Sequence, residues 1–314
     1  MTALSSEAVV AVIGAGAMGS GIAQVAAVAD HRVLLFDANP DAPAKAVAGI
    51  AKGLAGQVEK GRMSADKRQG VLDRLKPITS LGEAAGAAIA IEAVVEDLAI
   101  KQRLFSELEA ILAPGAILAT NTSSLSISAI AKGLRRPERV VGMHFFNPAP
   151  ILPLVEVVSG LTTDHGVAAT VFDTAAAWGK TPVHAKSTPG FIVNRCARPF
   201  YAEALRLLGE HATDPATLDA VLREAGRFRM GPCELMDLVG HDVNFAVTSA
   251  VFGDYFGDPR YRPSPLQREM VEAGRLGRKS GRGFFDYSPG APAPVPRGEP
   301  AAPKPARAAI EIGR

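Results

Sequence analysis

Cysteine is almost absent from this chain of 314 residues, which holds only Cys196 and Cys233. Two thiols cannot build a disulfide framework, so both read as ordinary buried thiols of a protein suited to a reducing compartment. An excess of one charge is also missing. The formal net charge of +2 leaves no basic surplus that would make nucleic acid the main partner. No apolar run approaches the roughly 18–20 residues that cross a bilayer. The opening MTALSSEAVV lacks the basic start and cleavage site of a signal peptide. No cluster of residues has metal-ligand spacing, so no metal is expected. These absences point to a cytoplasmic protein without membrane or nucleic-acid partners.

What the chain does have is apolar material, 47% of its residues, beside 21% charged. That is ordinary for a globular protein and enough for a sizeable core. Val9–Ile13, Val33–Phe36, Ala88–Ala93, Ala116–Thr120 and Val140–His144 read as strands, with Leu154–Val158 and Thr181–His184 after them. Segments of helical composition lie between, including Met18–Ala29, Leu98–Leu112, Ser126–Ala131 and 164–178. Apolar strands separated by helices imply an α/β fold of the doubly wound Rossmann type, a parallel sheet covered on both faces. Near Thr188 the character changes. Thr188-Pro189-Gly190 supplies a helix cap and a proline for the first turn. Helices are expected over 191–208, 216–225, 234–256 with a break at Gly240, and 264–273. The expected organisation is a cofactor domain over 1–187, a mainly helical domain over 188–287, and a Pro/Ala-rich tail or linker over 288–314.

The first strand runs into Gly14-Ala15-Gly16-Ala17-Met18-Gly19, and a helix follows. The first glycine permits a tight turn, the second lets the backbone approach a pyrophosphate, and the third seats the helix on the strand. The helix N-terminus then offers N–H groups and positive dipole to the phosphates. A second strand ends in Asp37, 18 residues after Gly19. A carboxylate there accepts from the adenosine ribose hydroxyls and repels a 2′-phosphate, so NAD is expected over NADP.

Four further residues suggest chemistry. Ser123 in Asn121-Thr122-Ser123-Ser124 and His144 in His144-Phe145-Phe146-Asn147-Pro148 each follow a strand, at the edge where open parallel sheets bind ligands. Glu156 interrupts the apolar run Leu154–Val158, where a carboxylate is costly unless paired. Asn194 lies among Phe191, Ile192 and Val193. Each also has a plain reading: a helix cap for Ser123, a core histidine for His144, a solvent-facing edge residue for Glu156 and a wet helix face for Asn194.

Taken together, these segments resemble the L-3-hydroxyacyl-CoA dehydrogenase family, above all its bacterial 3-hydroxybutyryl-CoA branch. The blocks that carry the resemblance are GAGAMGSGIA (14–23), IEAVVED (91–97), ATNTSSLSI (119–127), GMHFFNPAPILPLVEV (142–157), TPGFIVNR (188–195), MGPCELMDLVG (230–240) and LGRKSGRGFFDY (276–287). The resemblance implies oxidation of the C3 hydroxyl of an acyl-CoA with reduction of NAD⁺, and the reverse. His144 would be general base and acid, a task that suits histidine as a side-chain type. Glu156 would orient it, Ser123 would hold the substrate oxygen and touch the nicotinamide ribose, and Asn194 would orient the substrate in a cleft between domains. The match adds Glu96, Lys101, Asn147 and Lys279 as cofactor contacts, and a homodimer formed through the helical domain. Lys101 also has a plain reading as a surface lysine. For CoA, the family's lysine falls on Lys60, while its small polar partner falls on Gly53, which has no side chain; Lys52 and Arg62 are neighbouring cations. Two other substrates stay open: a free hydroxy acid, as in related gulonate dehydrogenases and lens crystallins, and a dicarboxylyl thioester such as 3-hydroxyadipyl-CoA, whose far carboxylate would meet Arg195 or Arg198. An NAD-binding protein without turnover is a third reading, against which the intact set of four stands. The tail further suggests that the chain is part of a longer enzyme.

Overall fold

A computed structural model describes residues 3–298; residues 299–314 of the expected tail lie outside the described residues. The chain clusters into two compact units that divide between Arg195 and Cys196.

In the first unit the apolar runs become β1 (Val10–Ile13), β2 (Val33–Phe36), β4 (Ile89–Glu92), β5 (Ile117–Thr120), β6 (Val140–Phe145), β7 (Leu154–Ser159) and β8 (Thr181–Lys186). A short β3 (Leu75–Pro77) joins them, and the sheet order is β3-β2-β1-β4-β5-β6-β7-β8. Alternate residues of one strand feed different cores. Val10 and Val12 pack with Ile22, Leu54, Val71 and Val171 from α1 (Ala17–Val28), α2 (Ala42–Glu59), α3 (Ala65–Arg74) and α6 (His165–Ala177). Ala11 and Ile13 pack with Phe105, Leu108 and Ile130 from α4 (Leu98–Ile111) and α5 (Ile127–Ile130). Burial on both faces is what makes these strands read as continuous apolar runs. The order turns back between β1 and β4, so the glycine-rich turn after β1 lies at the switch point, where open sheets leave a crevice.

Three details depart from the sequence-based expectation. β3 was not foreseen, because Lys76 and Pro77 mask it. An edge strand tolerates both, since no neighbour needs the missing N–H of the proline. The sheet is also not wholly parallel: β7 runs antiparallel to β6, while the other pairings are parallel. Only residues 146–153 separate the two strands, too few for a helical crossover. Finally, α7 (Val193–Gly209) begins two residues later than expected, and Thr188 does not cap it. Phe191 takes a positive φ of 45° and closes a turn instead.

The second unit is helical: the rest of α7, then α8 (Pro215–Glu224), α9 (Pro232–Val239), α10 (His241–Asp254) and α11 (Pro265–Glu272). Gly240, at φ 99°, makes the break between α9 and α10. The motif blocks at 230–240 and 276–287 prove to be one feature. Buried Asp237 accepts hydrogen bonds from the N–H groups of Phe284 and Phe285 and from the Tyr287 hydroxyl, and its Oδ1 lies 2.8 Å from His241 Nε2. Cys233 is buried as expected, but Cys196 is exposed, which corrects its reading as a buried thiol. Among the described residues no helix is long and apolar enough to cross a membrane.

Candidate active site

The glycine turn separates what the protein needs from what a ligand needs. A Cβ on Gly14 would stand 2.5 Å from the Ala93 carbonyl oxygen, and one on Gly19 would stand 1.7 Å from that of Gly14. The fold itself therefore requires these two glycines. A Cβ on Gly16 would meet nothing within 4 Å. Its small size serves the space in front of the turn, and no side chain caps the N-terminus of α1 behind it. Asp37 sits beside the same turn and accepts from Ala15 N–H at 2.7 Å and from Asn39 N–H at 2.8 Å. A carboxylate has acceptor capacity beyond two bonds, so a ribose diol can still be bound there. The residues present fit NAD. Replacing Asp37 with alanine is expected to weaken NADH binding about 10- to 100-fold, the worth of hydrogen bonds to a charged group, and to narrow the gap to NADPH. Fluorescence titration with both nucleotides measures this, and an unchanged preference would sink the assignment.

Ser123 sits in the loop after β5, and Glu96 organises that loop. Glu96 Oε1 accepts from Thr122 Oγ1 (2.6 Å), from the N–H groups of Ser123 (3.0 Å) and Ser124 (3.2 Å), and from Ser124 Oγ (3.0 Å). Burial by itself would raise its pKa. The bonds from Thr122 and Ser123 and the charge of Lys101 outweigh that and hold its carboxyl below the usual range. Lys101 is not a surface lysine. It is 1% exposed, 2.5 Å from Glu92 and 3.2 Å from Glu96.

Phe145 N–H donates to Asn121 Oδ1 at 2.8 Å, which ties the serine loop to β6. His144 and Glu156 are register partners across the antiparallel pair of β6 and β7. Residues directly opposite each other project from the same face, and here Nδ1 of the imidazole lies 2.7 Å from Glu156 Oε2. Both side chains are buried. The other carboxylate oxygen, Oε1, accepts from the N–H groups of Ile192 and Val193, each at 2.9 Å. One carboxylate thus orients the histidine and satisfies the start of α7, which leaves the next residue, Asn194, half-buried in the first turn. Burial pushes the Glu156 pKa up, but the bonds from His144, Val193 and Ile192 and the attraction of His144 prevail and keep it low. An ionised Glu156 requires Nδ1 to carry a proton, so in neutral imidazole Nε2 holds the lone pair. The rings of Phe146 and Phe191 flank His144 at 4.5 and 5.7 Å between centroids.

The remaining expected contacts are spread more widely. Asn147 is exposed at the end of β6, and its peptide bond to Pro148 is cis. Lys60 is exposed just past the end of α2, with Lys52, Gly53 and Arg62 also exposed. Lys279 belongs to the second unit and is ion-paired with Asp242 at 2.5 Å. Arg198 is buried and donates to Thr248 Oγ1 and the Asn244 carbonyl; Arg195 is exposed. Glu92 and Thr120, both fully buried, were not singled out from the sequence. A glutamate ending the apolar run Ile89–Glu92 was the one signal available for the first of them.

Residues 9–188 match the 3-hydroxyacyl-CoA dehydrogenase NAD binding domain, and residues 190–287 match the C-terminal domain of the same family. The chain is 50% identical over 278 residues to 3-hydroxyadipyl-CoA dehydrogenase of Escherichia coli K12, an alignment covering 88% of this chain and 58% of that protein. It is 43% identical over 276 residues to a probable 3-hydroxybutyryl-CoA dehydrogenase of Bacillus subtilis, covering 88% of this chain and 96% of that one. A crystal structure of 3-hydroxybutyryl-CoA dehydrogenase from Escherichia coli K12 superposes with a TM-score of 0.92 at 48% identity, over 96% of this chain and 63% of that one. The chain therefore spans about three fifths of the Escherichia coli proteins and nearly the whole of the Bacillus protein.

Proposed function

The chain belongs to the 3-hydroxyacyl-CoA dehydrogenase family, and from that premise we propose that it oxidises a short-chain (S)-3-hydroxyacyl-CoA to the 3-oxoacyl-CoA and catalyses the reverse reduction. The observation that carries this reading is the buried His144–Glu156 pair, set at the same sheet edge as the glycine turn and the Ser123 loop. Bound NAD⁺ supplies the hydride acceptor. The chain's own residues handle the proton. As C3 loses hydride its hydroxyl must lose H⁺, and His144 Nε2 takes it; Glu156 stabilises the imidazolium that results. In reduction the same nitrogen returns the proton to the new alkoxide. Ser123 donates to the substrate oxygen, and Asn194 orients the acyl group. Glu96, Asn147 and Lys279 complete the cofactor contacts, and Lys60 meets the CoA phosphates.

The nearly full-length match to the Bacillus protein supports a C4 substrate. The 50% identity to the 3-hydroxyadipyl-CoA enzyme supports a dicarboxylyl chain as the second reading, with Arg195 the candidate for its far carboxylate. Arg198 is the weaker candidate for that task, because it is buried and its Nη1 donates to Thr248 and Asn244 inside the second unit. Following NADH absorbance with acetoacetyl-CoA, 3-oxoadipyl-CoA and free acetoacetate separates the cases. Acetoacetyl-CoA is expected to exceed free acetoacetate by at least about 100-fold in kcat/KM, because binding energy from the remote CoA moiety is used at the reacting carbon. Equal rates would favour the free-acid reading, and no NADH oxidation with any substrate would refute the dehydrogenase reading.

A further inference from the structure

Resting on that reading of the site, we propose that Glu92 and Lys101 are positioning residues, a buried ion pair beneath the site that sets Glu96 and, through it, the Ser123 loop.

The contacts form a continuous chain. Glu92 ends β4 and is fully buried, and both of its carboxylate oxygens are occupied. Oε1 accepts from Lys101 Nζ (2.5 Å) and Val94 N–H (2.7 Å), and Oε2 accepts from Thr120 Oγ1 (2.6 Å). Its backbone carbonyl accepts from Asn121 N–H at 2.8 Å. This one residue therefore joins the end of β4, the segment that follows it, helix α4 and the end of β5. Lys101 carries the connection upward, 3.2 Å from Glu96 Oε2. With Oε2 pinned, Oε1 of Glu96 faces Thr122, Ser123 and Ser124. Thr120 adds a second route, since its hydroxyl also accepts from Thr122 N–H at 3.2 Å.

Stability alone does not explain such a pair. Two charges taken from water into a core recover little net stability relative to an apolar pair of the same shape. What the ion pair adds is direction. The three charges alternate as carboxylate, ammonium, carboxylate, so Glu96 is drawn inward over Lys101, although more than a third of its side chain is exposed. A serine hydroxyl must be placed to a fraction of an ångström to act on a reacting oxygen, and Ser123 lies on a loop with no regular structure to hold it.

The test is a double-mutant cycle. E92Q/K101M removes both charges together, which avoids stranding one of them in the core. T120V removes only the hydroxyl. Each is made in the wild-type and S123A backgrounds, with kcat and KM for acetoacetyl-CoA, the NADH dissociation constant and hydrogen exchange at the Ser123 and Ser124 amides measured. E92Q/K101M is expected to lower kcat about 10-fold or more with Ser123 present and less than about 2-fold without it, because both changes act through one group. Exchange at the two amides should rise about 10-fold, as the loop loses its anchor. A loss of the same factor in both backgrounds would overturn the proposal, as would a loss confined to NADH affinity. If the double variant does not fold, T120V decides: about 3-fold in kcat with Ser123 and none without it supports the proposal, and no effect in either background rejects it. Absence of wild-type turnover counts against the dehydrogenase reading, while the exchange measurement still judges the positioning role.

Discussion

Replacing His144 with glutamine is expected to lower kcat for acetoacetyl-CoA reduction by about 10³-fold, within the range that a positioned proton donor supplies. NADH affinity should remain within about 3-fold, because the glycine turn and Asp37 are untouched. The cause is local. Glu156 holds Nδ1, so Nε2 is the one ring nitrogen able to exchange a proton with the substrate oxygen. Glutamine fits the space and can donate a hydrogen bond, but it cannot gain or lose a proton near neutral pH. Turnover near that of the wild type would refute the general acid–base role.

Glu156→Gln is expected to damage both catalysis and the fold, because one carboxylate does two jobs. A glutamine that keeps its oxygen on the Ile192 and Val193 N–H groups turns its NH₂ toward Nδ1. The neutral imidazole must then carry its proton on Nε2, the wrong tautomer for taking one from substrate, and the imidazolium loses its counter-charge. A fall of about 10²–10⁴ in kcat follows. Stability should drop by about 3 kcal/mol at neutral pH, as when one member of a buried, hydrogen-bonded pair is removed. The pH dependence has a definite sign. The folded-state pKa of Glu156 lies below its ordinary value of 4.5, so its contribution is fully present above that value and fades as pH falls through the lowered one. Wild type and variant should therefore differ most near neutrality and converge in acid, in denaturant titrations at several pH values. A constant difference down to strongly acidic pH would show that the carboxylate contributes only by packing. Glu96, also lowered, adds acid sensitivity of the same sign in both proteins and cancels from the comparison.

Much of this is legible in the sequence. Gly14, Gly16, Gly19 and Asp37 are read within one strand, turn, helix and strand, where local chain geometry dictates which residue fits. The strands buried on both faces announce themselves as apolar runs, and Gly240 marks a helix break by its backbone freedom. Glu156 was suspect because a carboxylate in a buried strand demands a partner, and the family resemblance put forward His144 as that partner. Other features left no such trace. β3 is hidden by a lysine and a proline that only an edge position tolerates. Thr188 looked like the cap of α7, yet a glutamate 36 residues before Ile192 supplies the acceptor. Lys101 lies in a segment of helical composition and also has a plain reading as a surface residue.

The sequence by itself determined the doubly wound sheet, the dinucleotide turn and the identity of the groups able to move a proton, since these depend on propensity, periodicity and side-chain chemistry that act over short stretches. Only the tertiary structure decided which polar groups meet: the antiparallel register that puts His144 against Glu156, the reach of Glu156 to α7, and the burial of Glu92 and Lys101 beneath Glu96. Those pairings come from elements brought together by packing, where a polar group removed from water must find whichever partner the fold presents, and no local pattern encodes that choice.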